Sequence, residues 1–210
     1  MIDPTKIEFE DDIVLVLKSF IKRMKGVSPT LWQIFPFLMK VFEKNKKAFG
    51  NLLDAINYYL LYGKEYLAAN PTHLDMIVQM ANLSLFSKEP NITIQNSEGA
   101  ILFQLLFQVF HGMNALDTYF ENVLTVTLER MQAQPMENHL KRQLLGVFLS
   151  AMIYNATAAI NFLESRTITQ AVLTEIFNLA PTFKNTYERK IFSVGLTQML
   201  TAQVLPPSLG

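Results

Sequence analysis

His73, His111 and His139 are the side chains best suited to ligate a metal or move a proton near neutral pH, and their spacing argues against both. They fall on three separate segments, none with a carboxylate at ligand spacing. There is no cysteine, which removes disulfides and thiolate metal sites. The chain carries no glycine-rich phosphate loop, no Ser-His-Asp order and no nucleophile elbow. Glu129 and Glu175 could work as an acid–base pair only across a shared cleft with separated proton affinities, and they lie on different segments. No catalytic residue, cofactor or metal is therefore expected, and the chain reads as a non-enzyme.

The charged groups that remain suit helix ends. Glu8, Glu10, Asp11 and Asp12 favour a helix N-terminus through its dipole; the alternative is contact with a basic partner. Lys40, Lys44, Lys46 and Lys47 gather where a second helix should end, the site a cation prefers. A nucleic-acid surface would need more basic residues with aromatics between them. Lys+Arg and Asp+Glu balance at 18 each, so no net field draws the chain to polyanions.

The elements that must hold these residues are all helical. Half of the 210 residues are hydrophobic and 17% are charged, which excludes a disordered chain and fits helices packed on two sides. Apolar residues recur at three- and four-residue spacing in about ten stretches. The first runs from Phe9 to Lys25 and ends at Gly26. The second is capped by Ser28 with Pro29 in its first turn, and Pro36 should kink it. The third covers Phe49 to Tyr62 and closes at Gly63. The fourth starts at Asn70-Pro71 and reaches Phe86, before a polar loop from Lys88 to Asn96 that contains Pro90. The fifth covers Ser97 to Gly112, and the sixth is capped by Asp117 and runs to Met131. The seventh and eighth, Glu137 to Tyr154 and Ala156 to Glu164, part at Asn155. The ninth runs from Thr167 to Ala180, and the tenth from Tyr187 to Gln203, before Pro206-Pro207. Leu144 to Leu163 carries no formal charge, yet Asn155 and Asn161 make a buried soluble helix the better reading than a membrane span. The roughly 40-residue helix–turn–helix period is that of a HEAT-type stack. The fold expected is all-α, a HEAT-like α–α superhelix forming one continuous array over residues 1–210. The last helix keeps apolar positions Ile191, Phe192, Val194, Leu196, Met199 and Leu200 with no partner after it. Solenoid ends need polar caps, so the array is expected to be a piece of a longer protein or to dock end to end.

Several stretches resemble one family. Val27-Ser28-Pro29-Thr30-Leu31-Trp32-Gln33, Phe49-Gly50-Asn51-Leu52-Leu53 and Asn57-Tyr58-Tyr59 are similar to the C-terminal part of importin-β (karyopherin-β) nuclear transport receptors, in the importin seven/eight-like branch. Leu128-Glu129-Arg130-Met131, Ala151-Met152-Ile153-Tyr154-Asn155 and Glu188-Arg189-Lys190-Ile191 with Val194-Gly195-Leu196-Thr197 follow in the same order. The last run also resembles the export receptor that recycles importin-α. The resemblance spans about Glu8 to Pro207. It implies a HEAT superhelix that shuttles between cytoplasm and nucleus through the nuclear envelope pores. It also implies protein cargo, in one version basic, control by the Ran GTPase in the full-length receptor, and contact with phenylalanine–glycine nucleoporins. No direct nucleic-acid contact and no membrane insertion are expected. Two features depart from the family: the neutral balance where these receptors are acidic, and the loop from Lys88 to Asn96 where relatives keep a helix.

On this reading the third, sixth and ninth helices line the concave face, and Asp54, Asp117, Glu121, Glu129 and Glu175 would meet a basic segment there. Ordinary solvated helix faces are the alternative. Trp32 and Phe35, with Phe37, are either core or a pocket for a nucleoporin phenylalanine. The function expected is a receptor fragment binding protein partners; the alternative is a generic HEAT/ARM-type scaffold subunit of a multiprotein complex.

Overall fold

In the computed structural model, residues 10–44, 49–87, 92–133 and 136–202 are described. Glu8, the side chains of Glu10 and Asp11, Lys46, Lys47, Pro90 and the stretch 203–207 lie outside the described residues. Among the described residues there are nine α-helices and no strand: α1 Glu10–Met24, α2 Pro29–Lys44, α3 Phe49–Ala69, α4 Pro71–Leu85, α5 Ile92–Val109, α6 Asp117–Gln132, α7 Asn138–Ser165, α8 Thr169–Asn178 and α9 Thr186–Thr201. The all-α reading holds. The expected ten became nine because α7 contains the seventh and eighth stretches, joined at Asn155. There the backbone is non-helical (φ −154°, ψ 94°), and the Asn155 side chain accepts from the Ala158 amide at 3.0 Å, capping the second half. Likewise Gly63 does not end α3; it kinks it (φ −132°, ψ 20°), and the helix runs on to Ala69. α2 continues through Pro36 to Lys44.

The chain divides into two compact units, Met1–Ser84 and Leu85–Gly210. In the first, α1 packs on α2 and α3. Val14, Leu17 and Ile21 of α1 are buried, and with Leu52, Ile56, Tyr59 and Leu60 of α3 they contribute to its core. α1 also shows a second apolar stripe to solvent: Val16, Phe20 and Met24 are each more than half exposed, with Leu15 close behind. Ser28 accepts from the Leu31 amide at 3.4 Å, as a start signal should. Asn70 behaves differently from a simple cap: its side-chain amide donates to the Tyr66 carbonyl at 2.7 Å, tying the end of α3 to the start of α4.

In the second unit α7 is the central helix, packed against α5, α6, α8 and α9. Every residue from Gln143 to Met152 is buried. That helix is long and apolar enough to cross a membrane, but its apolar length goes into contacts with its neighbours. Two glycines set its spacing. A Cβ on Gly146 would lie 2.7 Å from Gln104 Nε2 of α5, and one on Gly195 of α9 would lie 2.7 Å from the Leu149 carbonyl oxygen of α7. The buried polar groups at these crossings are linked. Gln104 Nε2 donates to the Gln143 carbonyl at 2.8 Å and to Gln143 Oε1 at 3.0 Å, and Gln143 Nε2 donates to Glu188 Oε1 at 3.2 Å. Arg142 pairs with the same Glu188 oxygen at 3.1 Å. Buried polar side chains without such partners would be costly.

One expectation failed at α5. The polar pattern predicts a loop from Lys88 to Asn96, whereas the helix starts at Ile92. Asn96, the last residue of the expected loop, and Ser97, the expected helix start, are both buried inside the helix. Asp117 was expected as a cap; it is the first residue of α6, reached through a 3-10 turn at Asn114–Leu116.

Candidate functional site

Each of the five carboxylates singled out above lies on a helix as expected, and four of them have a partner on another element. Asp54 of α3 pairs with Lys18 of α1. Asp117 accepts the Tyr154 hydroxyl of α7 at 2.6 Å. Glu121, one turn further along α6, meets Arg166 at 3.4 Å. Glu175 of α8 pairs with Lys141 of α7. Glu129 is exposed near the end of α6. Asp117 and Glu121 therefore share a face of α6, whereas Asp54 belongs to the other unit. All the ion pairs that involve these groups are solvent-accessible and contribute little to stability.

Trp32 and Phe35 are buried, at 7% and 1% exposure. They form the centre of an aromatic cluster that sequence reading glimpsed only in part. The Trp32 ring stacks on Tyr66, with centroids 4.0 Å apart and planes 16° apart, and lies 5.1 Å from Tyr59. Phe35 meets Tyr59 edge-on at 4.9 Å. Tyr59 donates to the Leu31 carbonyl at 2.8 Å, and burial pushes its phenol well above the usual range. His73, set aside earlier as a lone histidine, closes the cluster: its ring is 5.9 Å from Trp32 and 5.7 Å from Tyr66. Burial lowers its proton affinity, and its Nδ1 is buried without a hydrogen-bond partner. No local pattern links Tyr66 and His73 to Trp32: Tyr66 lies on α3 beyond the kink at Gly63, and His73 lies on α4. The cluster is core on one side. On the other, Trp32, Tyr66 and His73 border an open cleft of about 640 Å³ with Val27, Pro29, Gln33 and Pro36.

A second, smaller cleft of about 370 Å³ lies in the second unit between α6 and the second half of α7, lined by Phe120, Glu121, Ala158, Asn161, Phe162 and Ser165. Arg166 stands beside it with its guanidinium 3.9 Å from the Phe162 ring centre. Among the described residues no three His, Asp or Glu side chains converge in a way that could hold a metal ion. These surfaces present aromatic rings, paired carboxylates and exposed apolar side chains.

The chain matches the importin-11-like TPR-repeat family over residues 2–209. It belongs to that family. The family's repeat type, TPR, differs in name from the HEAT type expected, but both are stacked helix–turn–helix units. Similar curated proteins are also importins. A probable importin-7 homolog of Dictyostelium discoideum is 22% identical over 203 residues, 93% of this chain and 19% of that protein. Importin-8 of Homo sapiens is 22% identical over 211 residues, 97% of this chain and 20% of that protein. Importin-8 of Danio rerio is 23% identical over 194 residues, 87% and 18% respectively. The chain thus spans about a fifth of the length of these importins. No solved structure matches it significantly. The importin seven/eight-like resemblance read from the ordered motifs is the one these relatives bear.

Proposed function

We propose that this chain is a non-enzymatic segment of an importin-type nuclear transport receptor, a single repeat array over residues 1–210 whose surfaces bind other proteins. The observation that carries the reading is the family match across residues 2–209, together with relatives named importins aligned over nearly the whole chain. The receptor works between cytoplasm and nucleus and passes the nuclear pore. Its partners are protein cargo, phenylalanine–glycine nucleoporins and, in the full-length receptor, the Ran GTPase. Cargo and Ran-GTP favour different curvatures of the stacked repeats, so each weakens the other's binding.

Groups on each unit suit those partners. The Trp32–Tyr66–His73 cleft offers aromatic edges to a nucleoporin phenylalanine. Asp54 in the first unit, and Asp117, Glu121, Glu129 and Glu175 in the second, suit basic cargo segments, and Phe35 packs against Trp32 with ring centres 5.6 Å apart. Retention of the chain on immobilised phenylalanine–glycine repeats, lost on substituting Tyr66→Ala, is the expected result. Ran-GTP should release cargo from the receptor that carries this segment. A chain that ignores the repeats and holds one fixed partner with no response to Ran-GTP would instead be a scaffold subunit.

A further inference from the structure

We propose that the cleft between α6 and the second half of α7 seats an arginine side chain of a protein partner, and that Arg166 is the internal competitor for its carboxylate. The inference rests on the reading that this chain binds proteins, and it names a chemistry for one of its surfaces.

Phe120 and Phe162, both largely buried, line the cleft together with Ala158, whose side chain is a single methyl. Glu121 stands at the rim with its side chain 78% exposed. An aromatic face beside a carboxylate is what a planar cation selects, and arginine suits it better than lysine because a guanidinium both stacks and forks onto two oxygens. The molecule already contains the demonstration. Arg166 follows the last residue of α7, and the next residue, Thr167, takes a left-handed backbone (φ 54°) that ends the helix. From there the guanidinium lies over Phe162, and Nη2 reaches Glu121 Oε1 at 3.4 Å and Thr125 Oγ1 at 3.2 Å.

That internal contact is slack. A charge-assisted N–H···O bond is normally 2.7–2.9 Å; here it is 3.4 Å, on a carboxylate mostly in water. An exposed pair of this kind is weak and exchangeable. Charge also favours a second cation. Asp117, one turn before Glu121 on the same face, has the neutral Tyr154 hydroxyl as its hydrogen-bond partner. The α6 face thus carries two carboxylates one turn apart, Glu121 met by Arg166 and Asp117 by a neutral hydroxyl. Asn161, exposed at the cleft edge, leaves its amide for the backbone of the incoming segment.

The test titrates ¹⁵N-labelled 210-residue chain with the peptide acetyl-Gly-Gly-Arg-Gly-Gly-amide and with its lysine and norleucine counterparts. The arginine peptide should shift the amides of Phe120, Glu121, Asn161 and Phe162; lysine should do so more weakly and norleucine not at all. Arg166→Ala should tighten arginine-peptide binding by about fivefold, the scale of freeing one exposed ion-pair and cation–π contact. Glu121→Gln should weaken it by a similar factor, and because Glu121 is exposed the remaining spectrum should stay unchanged. If Arg166→Ala leaves affinity unchanged or lowers it, or if norleucine shifts the same amides, the proposal is wrong. The nucleoporin and Ran readouts are separate. Loss of those responses with arginine binding intact would remove the receptor reading and leave the cleft assignment standing.

Discussion

At Gly63 the absent side chain is the structural fact. A Cβ there would lie 2.4 Å from Trp32 Cζ2 and 2.8 Å from Cη2, inside the indole. The ring is itself held by stacking on Tyr66 and cannot retreat without breaking the cluster. Gly63→Ala should therefore destabilise the first unit by about 1–3 kcal/mol, the usual range for overpacking a close contact. Trp32 fluorescence during urea unfolding would measure it; an unchanged midpoint would mean the indole yields freely. The sequence marked Gly63 as a helix terminus because glycine commonly ends helices. Its role, to admit the ring of Trp32 from the preceding helix α2, is a long-range contact that no local pattern encodes. His73 was illegible for the same reason: a lone histidine shows its neighbours only after folding. Glu98 gives a second prediction at this scale. Burial pushes its carboxyl up from 4.5 to about 7. The folded state thus holds the proton more tightly than the unfolded chain. The favourable contribution is whole below about pH 4.5 and is lost as pH rises towards 7 and beyond. Glu98→Gln stays neutral throughout, so its melting temperature relative to the parent should climb between pH 5 and 8. A constant difference across that range would show that Glu98 titrates normally.

At the scale of elements, helices were legible where one apolar stripe faces one neighbour, as in α2 with Leu31, Phe35, Leu38 and Phe42 buried. They were misread where tertiary packing overrides local polarity. The start of α5 looks like loop in the sequence because Lys88 to Asn96 is polar and contains Pro90, yet the helix begins at Ile92 and Asn96 is buried in the finished fold. Asn155 was read correctly as a break because its amide can cap the following turn, a local interaction. The contrast between two glycines of the second unit makes a prediction. At Gly195 the new methyl would strike backbone, the Leu149 carbonyl and Cα, so α9 must move away from α7. At Gly146 it would strike the end of the Gln104 side chain, which can rotate at the expense of its bonds to Gln143. Alanine also improves helix propensity over glycine by up to about 1 kcal/mol. Gly195→Ala should cost about 1–3 kcal/mol, and Gly146→Ala about 1 kcal/mol or less. Chemical denaturation followed by far-ultraviolet circular dichroism would rank them; the reverse order would mean that α9 slides more easily than Gln104 turns.

For the whole molecule, the recurring helical period and the ordered family-like motifs were visible in the sequence because both are one-dimensional properties. The division into units ending at Ser84 and starting at Leu85 was not, since it depends on which contacts are dense in space. In repeat proteins stability is close to a sum of local terms and nearest-neighbour interfaces, so one end can loosen before the other. This chain has a built-in reporter for that behaviour. Its single tryptophan, Trp32, lies in the first unit, while circular dichroism reads every helix. In Gly63→Ala the Trp32 transition should precede the helical one. In Gly195→Ala the helical signal should begin to fall while Trp32 fluorescence still reports a folded cluster. Separated transitions of opposite order in the two variants are the signature of a stack with local cooperativity. If both probes coincide in both variants, the 210 residues unfold as one two-state body. The springy, curvature-based coupling of cargo and Ran proposed for the receptor would then need to lie outside this segment.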